Sequence, residues 1–294
     1  MKIVKFLGGL GNQLFQYAFF CALQQRFRKI KADFSGFDAY ELHNGYELER
    51  IFGVLLPQAS PFEQKLFDQQ DRRWVQRKLR RLFGTKDGYY EEPVLFRYDD
   101  TLLDDSRNRY YWGYWQHINY INPVEDQLRL ELAFPAFADQ RNMELSEKLS
   151  MMNAVSVHVR RGDYLNDPVL GGICDVGYYR RALAYMEQHI ADSHFVFFSN
   201  DIPWCRETFS MQNAIFVDWN TGLQSFRDMQ LMSFCKHHII ANSSFSWWGA
   251  WLNQYAGKIV VSPDRWVGME GLDLSGIILP EFQQINLLNP GSKW

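Results

Sequence analysis

Apolar and polar residues alternate along this chain in two distinct rhythms. The short run Ile3-Val4-Lys5-Phe6-Leu7 reads as a buried strand. A glycine turn follows, and from residue 12 to 29 the apolar positions recur at helical spacing. Leu14, Phe15, Ala18, Phe19, Ala22 and Leu23 fall on one face. A strand over Ile30–Phe34 would complete a βαβ unit. Residues 61–85 are polar with helical character, residues 108–120 are dense in aromatics around Gly113, and one helix is predicted over 124–150.

From Ala154 the rhythm restarts. Strand-like runs AVSVHVR, HFVFFSND, AIFVDW, HHIIAN and KIVVSP are separated by helical runs, among them GYYRRALAYMEQHI, SFRDMQLMSFCK and SFSWWGAWLNQY, with AIFVDW following HFVFFSND as strand after strand. Short Val/Ile/Phe runs between longer helices imply an α/β fold with a parallel sheet. No internal repeat interrupts the pattern. The predicted boundary lies near residue 150, giving domains 1–150 and 151–294.

The 294 residues suit one or two domains, and 47% apolar content suffices for a large core. A formal charge of −3 gives no global basic field, so nucleic acid is not an expected partner. Cys21, Cys174, Cys205 and Cys235 are widely spaced without a C-x-x-C pair, which fits reduced thiols in a cytoplasmic protein. No leader-like segment and no membrane-length apolar run is read from the sequence. The basic stretch 72–81 has two readings: a solvated helix face, or a peripheral contact with anionic lipid at the inner face of a membrane.

Three segments carry candidate chemistry. In the opening loop, Gly9-x-Gly11-x-x-Leu14 lacks the third glycine of a dinucleotide fingerprint, although Asp33 sits about where a ribose-binding acid would fall. Asn12 and Gln13 offer amide donors and acceptors that suit sugar hydroxyls. In SVHVRRGDYL, strand alternation puts His158 and Arg160 on one face at a strand end, where ligands of open α/β sheets bind. Arg160 could fork onto phosphate oxygens, while Arg161-Gly162-Asp163 could be an internally paired turn. In IIANSSFSWWGAW, a strand ends at Asn242, and Ser243 or Ser244 can cap a helix whose end attracts an anion. No two aspartates lie two positions apart, and no histidine spacing suggests a metal; no cofactor or metal is expected.

Taken together, GGLGNQLFQYAF, GYWQHINYI, HVRRGDYL, FFSND and NSSFSWWGAWLN resemble, in that order, the inverting GDP-fucose-dependent α1,2-fucosyltransferases over nearly the whole chain. The resemblance implies a GT-B-type architecture of two Rossmann-like domains facing a cleft. The N-terminal domain would serve the acceptor and the C-terminal one GDP-fucose, without metal. It implies that Arg160 contacts the GDP phosphates, His158 lies near guanine or ribose, and Asp228 grips guanine. Asn242, Ser243, Ser244, Phe245 and Ser246 match the segment that closes on the β-phosphate. Asn12 matches an asparagine between donor and acceptor, with Gly11, Gln13, Trp115 and Gln116 on the acceptor side. Asp163 is the candidate general base. After GYWQ, many members carry Ser-x-Lys-Tyr-Phe, whereas this chain has His117-Ile118-Asn119-Tyr120-Ile121.

The implied reaction moves L-fucose to the 2-hydroxyl of a terminal β-galactoside, on an oligosaccharide or a lipid-linked glycan. Two rivals stand beside it. A nicotinamide-dependent oxidoreductase would use Gly9, Gly11 and Asp33, and a non-catalytic glycan-binding protein would use the aromatics Tyr110–Trp115.

Overall fold

The structure is a computed structural model, and it describes residues 1–37 and 44–286. The chain divides into two compact units, Met1–Phe134 and Pro135 onward. The boundary therefore falls ahead of the expected 150. The reason is local. The single helix expected over 124–150 is two helices, α7 (Glu125–Glu131) and α8 (Gln140–Met151), with Pro135 between them. Proline removes a backbone donor and disfavours helix in the residue before it. Asp139 then caps α8, its side chain accepting from the Asn142 N–H. Leu145 and Leu149 of α8 pack into the core of the second unit with Ala154, Val196 and Leu231.

In the first unit, β1 (Lys2–Lys5), α1 (Leu10–Gln24) and β2 (Ile30–Asp33) form the expected βαβ element. Helices α2 (Leu48–Phe52), α3 (Pro61–Lys65) and α4 (Trp74–Leu82) follow, so the helical character read over 61–85 resolves into two short helices. Next come β3 (Tyr89–Glu91), α5 (Thr101–Asp104), β4 (Arg109–Trp112) and α6 (Ile118–Ile121). The sheet is parallel, in the order β2-β1-β4-β3. Helix α1 is buried along almost its whole length, from Leu10 to Leu23 except Asn12, because apolar residues cover every side of it.

The second unit carries β5 (Asn153–Val159), α9 (Val176–His189), β6 (Ser193–Ser199), α10 (Ile202–Thr208) and β7 (Ala214–Val217). It continues through α11 (Phe226–Phe234), β8 (His237–Ile239), α12 (Ser244–Leu252), β9 (Val260–Pro263) and β10 (Gln283–Ile285). Helix α10 was not read from the sequence, although Asp201 as N-cap with Pro203 in the first turn signals it.

This sheet is also parallel, in the order β10-β9-β8-β5-β6-β7. Counted from β5 as the first strand, that is 3-2-1-4-5-6 read from the other edge, the order of dinucleotide-binding sheets. Both faces of β5 are covered. Val155, Val157 and Val159 pack with Tyr178, Tyr179 and Met186 of α9, and Ala154 packs beneath α8 and α11.

Candidate functional site

In an open parallel sheet, ligands bind beyond the carboxyl ends of the strands where the strand order reverses. Each unit has one such reversal. In the second it lies between β5 and β8, which feed the segments Arg160–Gly162 and Ile240–Ser243.

His158, the penultimate residue of β5, is buried, and its ring lies 5.7 Å from that of Phe245. Burial, reinforced by Arg160, pushes its imidazole down to about 3, so it is neutral at physiological pH. Its Nδ1 has no hydrogen-bond partner among the described residues. An unmatched buried polar atom costs about 1–3 kcal/mol, and a ligand could supply its partner. Arg160 is half-buried, with its guanidinium 5.3 Å from the Tyr164 ring.

Arg161 has a different task. Its backbone N–H donates to Asn200 Oδ1 at 3.0 Å, its Nε donates to Asp201 Oδ2 at 3.1 Å, and its guanidinium lies 3.8 Å from the Trp204 ring. Gly162 sits at φ +46°, and a Cβ there would come within 2.3 Å of Asn200 Nδ2. The motifs RRG and SND thus form one clamp that anchors Arg161 and fixes the loop carrying Arg160. Asp163 follows in the short 3-10 turn Gly162–Asn166, and its side chain lies outside the described residues.

The second anion-ready segment divides in the same way. Asn242 donates to the carbonyls of Leu170 (3.1 Å) and Trp266 (3.0 Å). Ser243 caps α12 by accepting from the Phe245 N–H, and Ser246 donates back to the Ser243 carbonyl at 3.3 Å. Asn242, Ser243 and Ser246 are all buried and build the helix end; Ser244 and Phe245 are half-buried at its tip. The tryptophans Trp247, Trp248 and Trp251 are core.

Asp228 stands in the first turn of α11, after the β7 loop and therefore on the same carboxyl edge. Its carboxyl is pushed up to about 8 by burial, against the pull of a hydrogen bond from Asn220. Asn220 Nδ2 donates to it at 2.9 Å, Asn142 Nδ2 donates to Asn220 Oδ1 at 2.8 Å, and Trp219 Nε1 donates to Asn142 Oδ1 at 2.8 Å. The neighbouring Arg227 turns away to the Pro135 carbonyl and Gln230. A carboxyl desolvated without a cationic partner among the described residues is a functional-site signature. The amide network behind it was missed from sequence; its signal is Asp218-Trp219-Asn220 directly after a strand.

In the first unit the order reverses between β1 and β4, whose carboxyl ends lead to Phe6–Gly9 and Gly113–Gln116. Gln116 Nε2 donates to Asn12 Oδ1 at 2.8 Å, which brings together two of the expected acceptor-side residues. Gly8, at φ +76°, leaves room for the Asn12 amide, since a Cβ there would lie 2.6 Å from Asn12 Nδ2. Gly11 is buried within the first turn of α1.

Gln13 and Trp115 do not fit their expected roles. Gln13 is fully buried; it donates to the carbonyls of Gly8 (2.9 Å) and Gly45 (2.8 Å) and accepts from the Glu47 N–H (2.9 Å). Its amide is a loop staple, as is that of Gln16, which joins Leu7 and Gly113. Trp115 is core, stacked 4.3 Å from Phe19, with a backbone φ of +57°. Glu92, missed from sequence, holds that turn by accepting from the backbone N–H groups of Tyr114 and Trp115. His117 caps α6 by accepting from the Asn119 N–H, so the loop that departs from the family pattern is internally bonded.

Each rival reading loses part of its residue set. Asp33 is buried and bonded by Tyr110 Oη, Gln64 Nε2 (3.0 Å) and the Ser35 N–H (2.7 Å), with Lys5 3.5 Å away, which leaves little capacity for a ribose. Tyr110, Tyr111 and Trp115 are buried instead of forming a glycan-stacking face. Among the described residues, no three His, Cys, Asp or Glu side chains gather where they could hold a metal ion.

The sequence matches Glycosyl transferase family 11 over residues 87–276. It is 33% identical over 280 residues to an alpha-1,2-colitosyltransferase of Escherichia coli, covering 92% of this chain and 94% of that protein. It is 33% identical over 283 residues to the O-antigen biosynthesis glycosyltransferase WbnK of the same organism, covering 88% and 92%. Galactoside alpha-(1,2)-fucosyltransferase 2 of Rattus norvegicus is 25% identical over 260 residues, covering 86% and 67%. Among solved structures, NodZ alpha-1,6-fucosyltransferase soaked with GDP-fucose superposes with a TM-score of 0.52 at 14% identity, covering 85% of this chain and 92% of that one. The fold is α/β of the GT-B type. With its strand orders, its HVRRGDYL and NSSFSWWGAW segments and these relatives, the chain belongs to glycosyltransferase family 11, the α1,2-fucosyltransferase family.

Proposed function

We propose that the protein is a galactoside α1,2-fucosyltransferase. It would move L-fucose from GDP-β-L-fucose to the 2-hydroxyl of a terminal β-galactoside with inversion. The observation that carries this reading is the convergence of Arg160, neutral His158 and desolvated Asp228 on the carboxyl edge of one 3-2-1-4-5-6 sheet. A diphosphate fits the arginine fork and the end of α12. Guanine presents an N–H and an exocyclic amine side by side, and the Asp228 carboxylate would accept both.

The acceptor oxygen attacks the anomeric carbon as the bond to the β-phosphate oxygen breaks, and the bonding pair leaves with GDP. Arg160 and the α12 end stabilise that growing charge; removing one such preorganised donor typically lowers a rate by about 10²–10³. The reading includes no metal, since the arginine and the helix end supply the positive field. Asn12, positioned by Gln116, orients the acceptor hydroxyl. Asp163 is the candidate base for its proton, and an Asp163→Asn enzyme with unchanged kcat would remove it from that role.

The test is GDP release from GDP-fucose across a panel of β-galactosides, with product linkage read by NMR. Release without a galactoside-linked product, or no release on any acceptor, rejects the reading. The colitosyltransferase relative supports a second reading in which the donor sugar is colitose, so GDP-colitose belongs in the same panel.

A further inference from the structure

We propose that α4 and the turn after it dock the protein onto an anionic lipid bilayer. Residues 72–86 hold seven basic side chains and no acidic one, in a chain whose net charge is −3. Helix α4 is anchored by its inner side alone. Leu79 packs on the cluster of Ile3, Leu66, Phe67 and Tyr110, and the Arg80 guanidinium is tied to the carbonyls of Asp68 (2.7 Å) and Asp71 (2.8 Å).

At 100° per residue, Arg77, Arg81, Trp74, Lys78, Leu82 and Val75 follow one another around the opposite face. All six are exposed, Trp74 to 67% and Leu82 to 77%. Cations and apolar side chains therefore interleave on that face, with Trp74 between Arg81 and Lys78 and Leu82 and Val75 at one end, and Phe62 and Phe83 are exposed as well. Arg73 is paired with Asp71, but Arg72, Arg77, Lys78 and Arg81 have no ion-pair partner among the described residues.

A cavity of about 340 Å³ adjoins the face, lined by Arg81, Lys86 and Arg107 together with Asp87 and Asn108. Lipid suits this chemistry better than nucleic acid: a base could stack on Trp74, but the exposed leucine and valine beside the cations match acyl chains and not a phosphate backbone. The cavity lies where β3 and β4 begin, at the amino edge of the first sheet, whereas Asn12 and Gln116 lie at its carboxyl edge. Within the first unit, docking would leave that polar pair uncovered.

The experiment is co-sedimentation of the full chain with phosphatidylcholine vesicles carrying about one-third phosphatidylglycerol, at low and high salt. Each cation near an anionic surface strengthens binding by about fivefold, so R77E/K78E/R81E should weaken it by about 100-fold or more. W74A/L82A should weaken it by about tenfold, and high salt should release the wild type. None of these side chains belongs to the polar sites described above, so melting temperature and turnover of a soluble acceptor should not change. The proposal is overturned if the wild type ignores anionic vesicles at low salt, or if the triple variant binds them equally well. It is also overturned if the triple variant's defect appears only in binding of a single-stranded oligonucleotide, or only in self-association by sedimentation velocity. All of these readouts are independent of fucosyl transfer.

Discussion

The two units solve the same topological problem with different chemistry. Both sheets are parallel and both reverse their strand order beside a glycine-bearing loop. At the first reversal, amides are bonded within the unit, Gln13 and Gln16 to backbone and Gln116 to Asn12, and the one carboxyl beside them, Glu92, is spent on the backbone N–H groups of Tyr114 and Trp115. At the second, His158 is desolvated and held neutral, and along the same carboxyl edge, after β7, Asp228 is pushed up to about 8. Amides suit hydroxyls, and a half-buried carboxyl with an arginine on the same sheet edge suits a charged nucleotide. Under the proposed function the first unit would take the acceptor and the second the donor, and substitutions can break that comparison.

The largest effect is expected at Arg160. Arg160→Ala should lower kcat/KM for GDP-fucose by about 10²–10³ with an unchanged melting temperature. Lysine should rescue poorly, because a point charge does not reproduce the fork. Arg161→Ala should instead lower stability, since Arg161 clamps Asp201 and Trp204. If the two variants behaved alike, the division of labour would be wrong.

Asp228→Asn comes next. It should weaken GDP binding by roughly 5- to 150-fold, the equivalent of about 1–3 kcal/mol, and erase discrimination against IDP by calorimetry. Its stability effect has a definite sign. The folded carboxyl titrates at about 8 against 3.8 for the ordinary group, so its contribution to stability is present below pH 4 and lost as pH rises towards 8. Asparagine has no such loss, and the mutant's melting temperature relative to wild type should rise between pH 5 and pH 9. For the same reason GDP binding to the wild type, which releases a proton, should weaken by up to about tenfold for each pH unit below 8.

Smaller changes are expected in the first unit. Gly8→Ala places a Cβ against the Asn12 amide in a left-handed backbone. It should lower kcat/KM for the acceptor by about tenfold, with GDP affinity intact. Gln13→Ala should destabilise the fold by about 2 kcal/mol in chemical denaturation through its orphaned backbone partners, again without touching GDP affinity. The smallest expected effect is none: excess EDTA should leave turnover unchanged, and a loss restored by Mg²⁺ or Mn²⁺ would end the metal-free reading.

Much of this was legible in the sequence where periodicity was long. β5, α9 and β6 appear within two residues of their expected places, α1 starts two residues early and ends five early, and the three candidate segments lie at strand ends as read. Short elements escaped. β3 and β4 are three and four residues of aromatic-rich chain with no alternation to betray them. The break between α7 and α8 turned on Pro135, which helical spacing on both sides obscured. Side-chain roles failed where the partner is remote. Gln13 looks available to a sugar until Gly45 and Glu47 are seen to occupy its amide. The His158–Phe245 neighbourhood joins residues far apart in sequence and exists only because β5 and β8 are adjacent.

The clamp between Gly162 and Asn200 also constrains how relatives of this protein can diverge. A side chain at 162 collides with the Asn200 amide, whereas a smaller residue at 200 merely releases the Arg161 N–H. Evolutionary routes through these positions therefore depend on order. Position 200 must shrink before 162 can grow, and the intermediate carries a loosened loop. Two sites separated by an entire strand and helix should consequently change in a fixed order, and once both have changed, asparagine cannot return at 200 until glycine returns at 162.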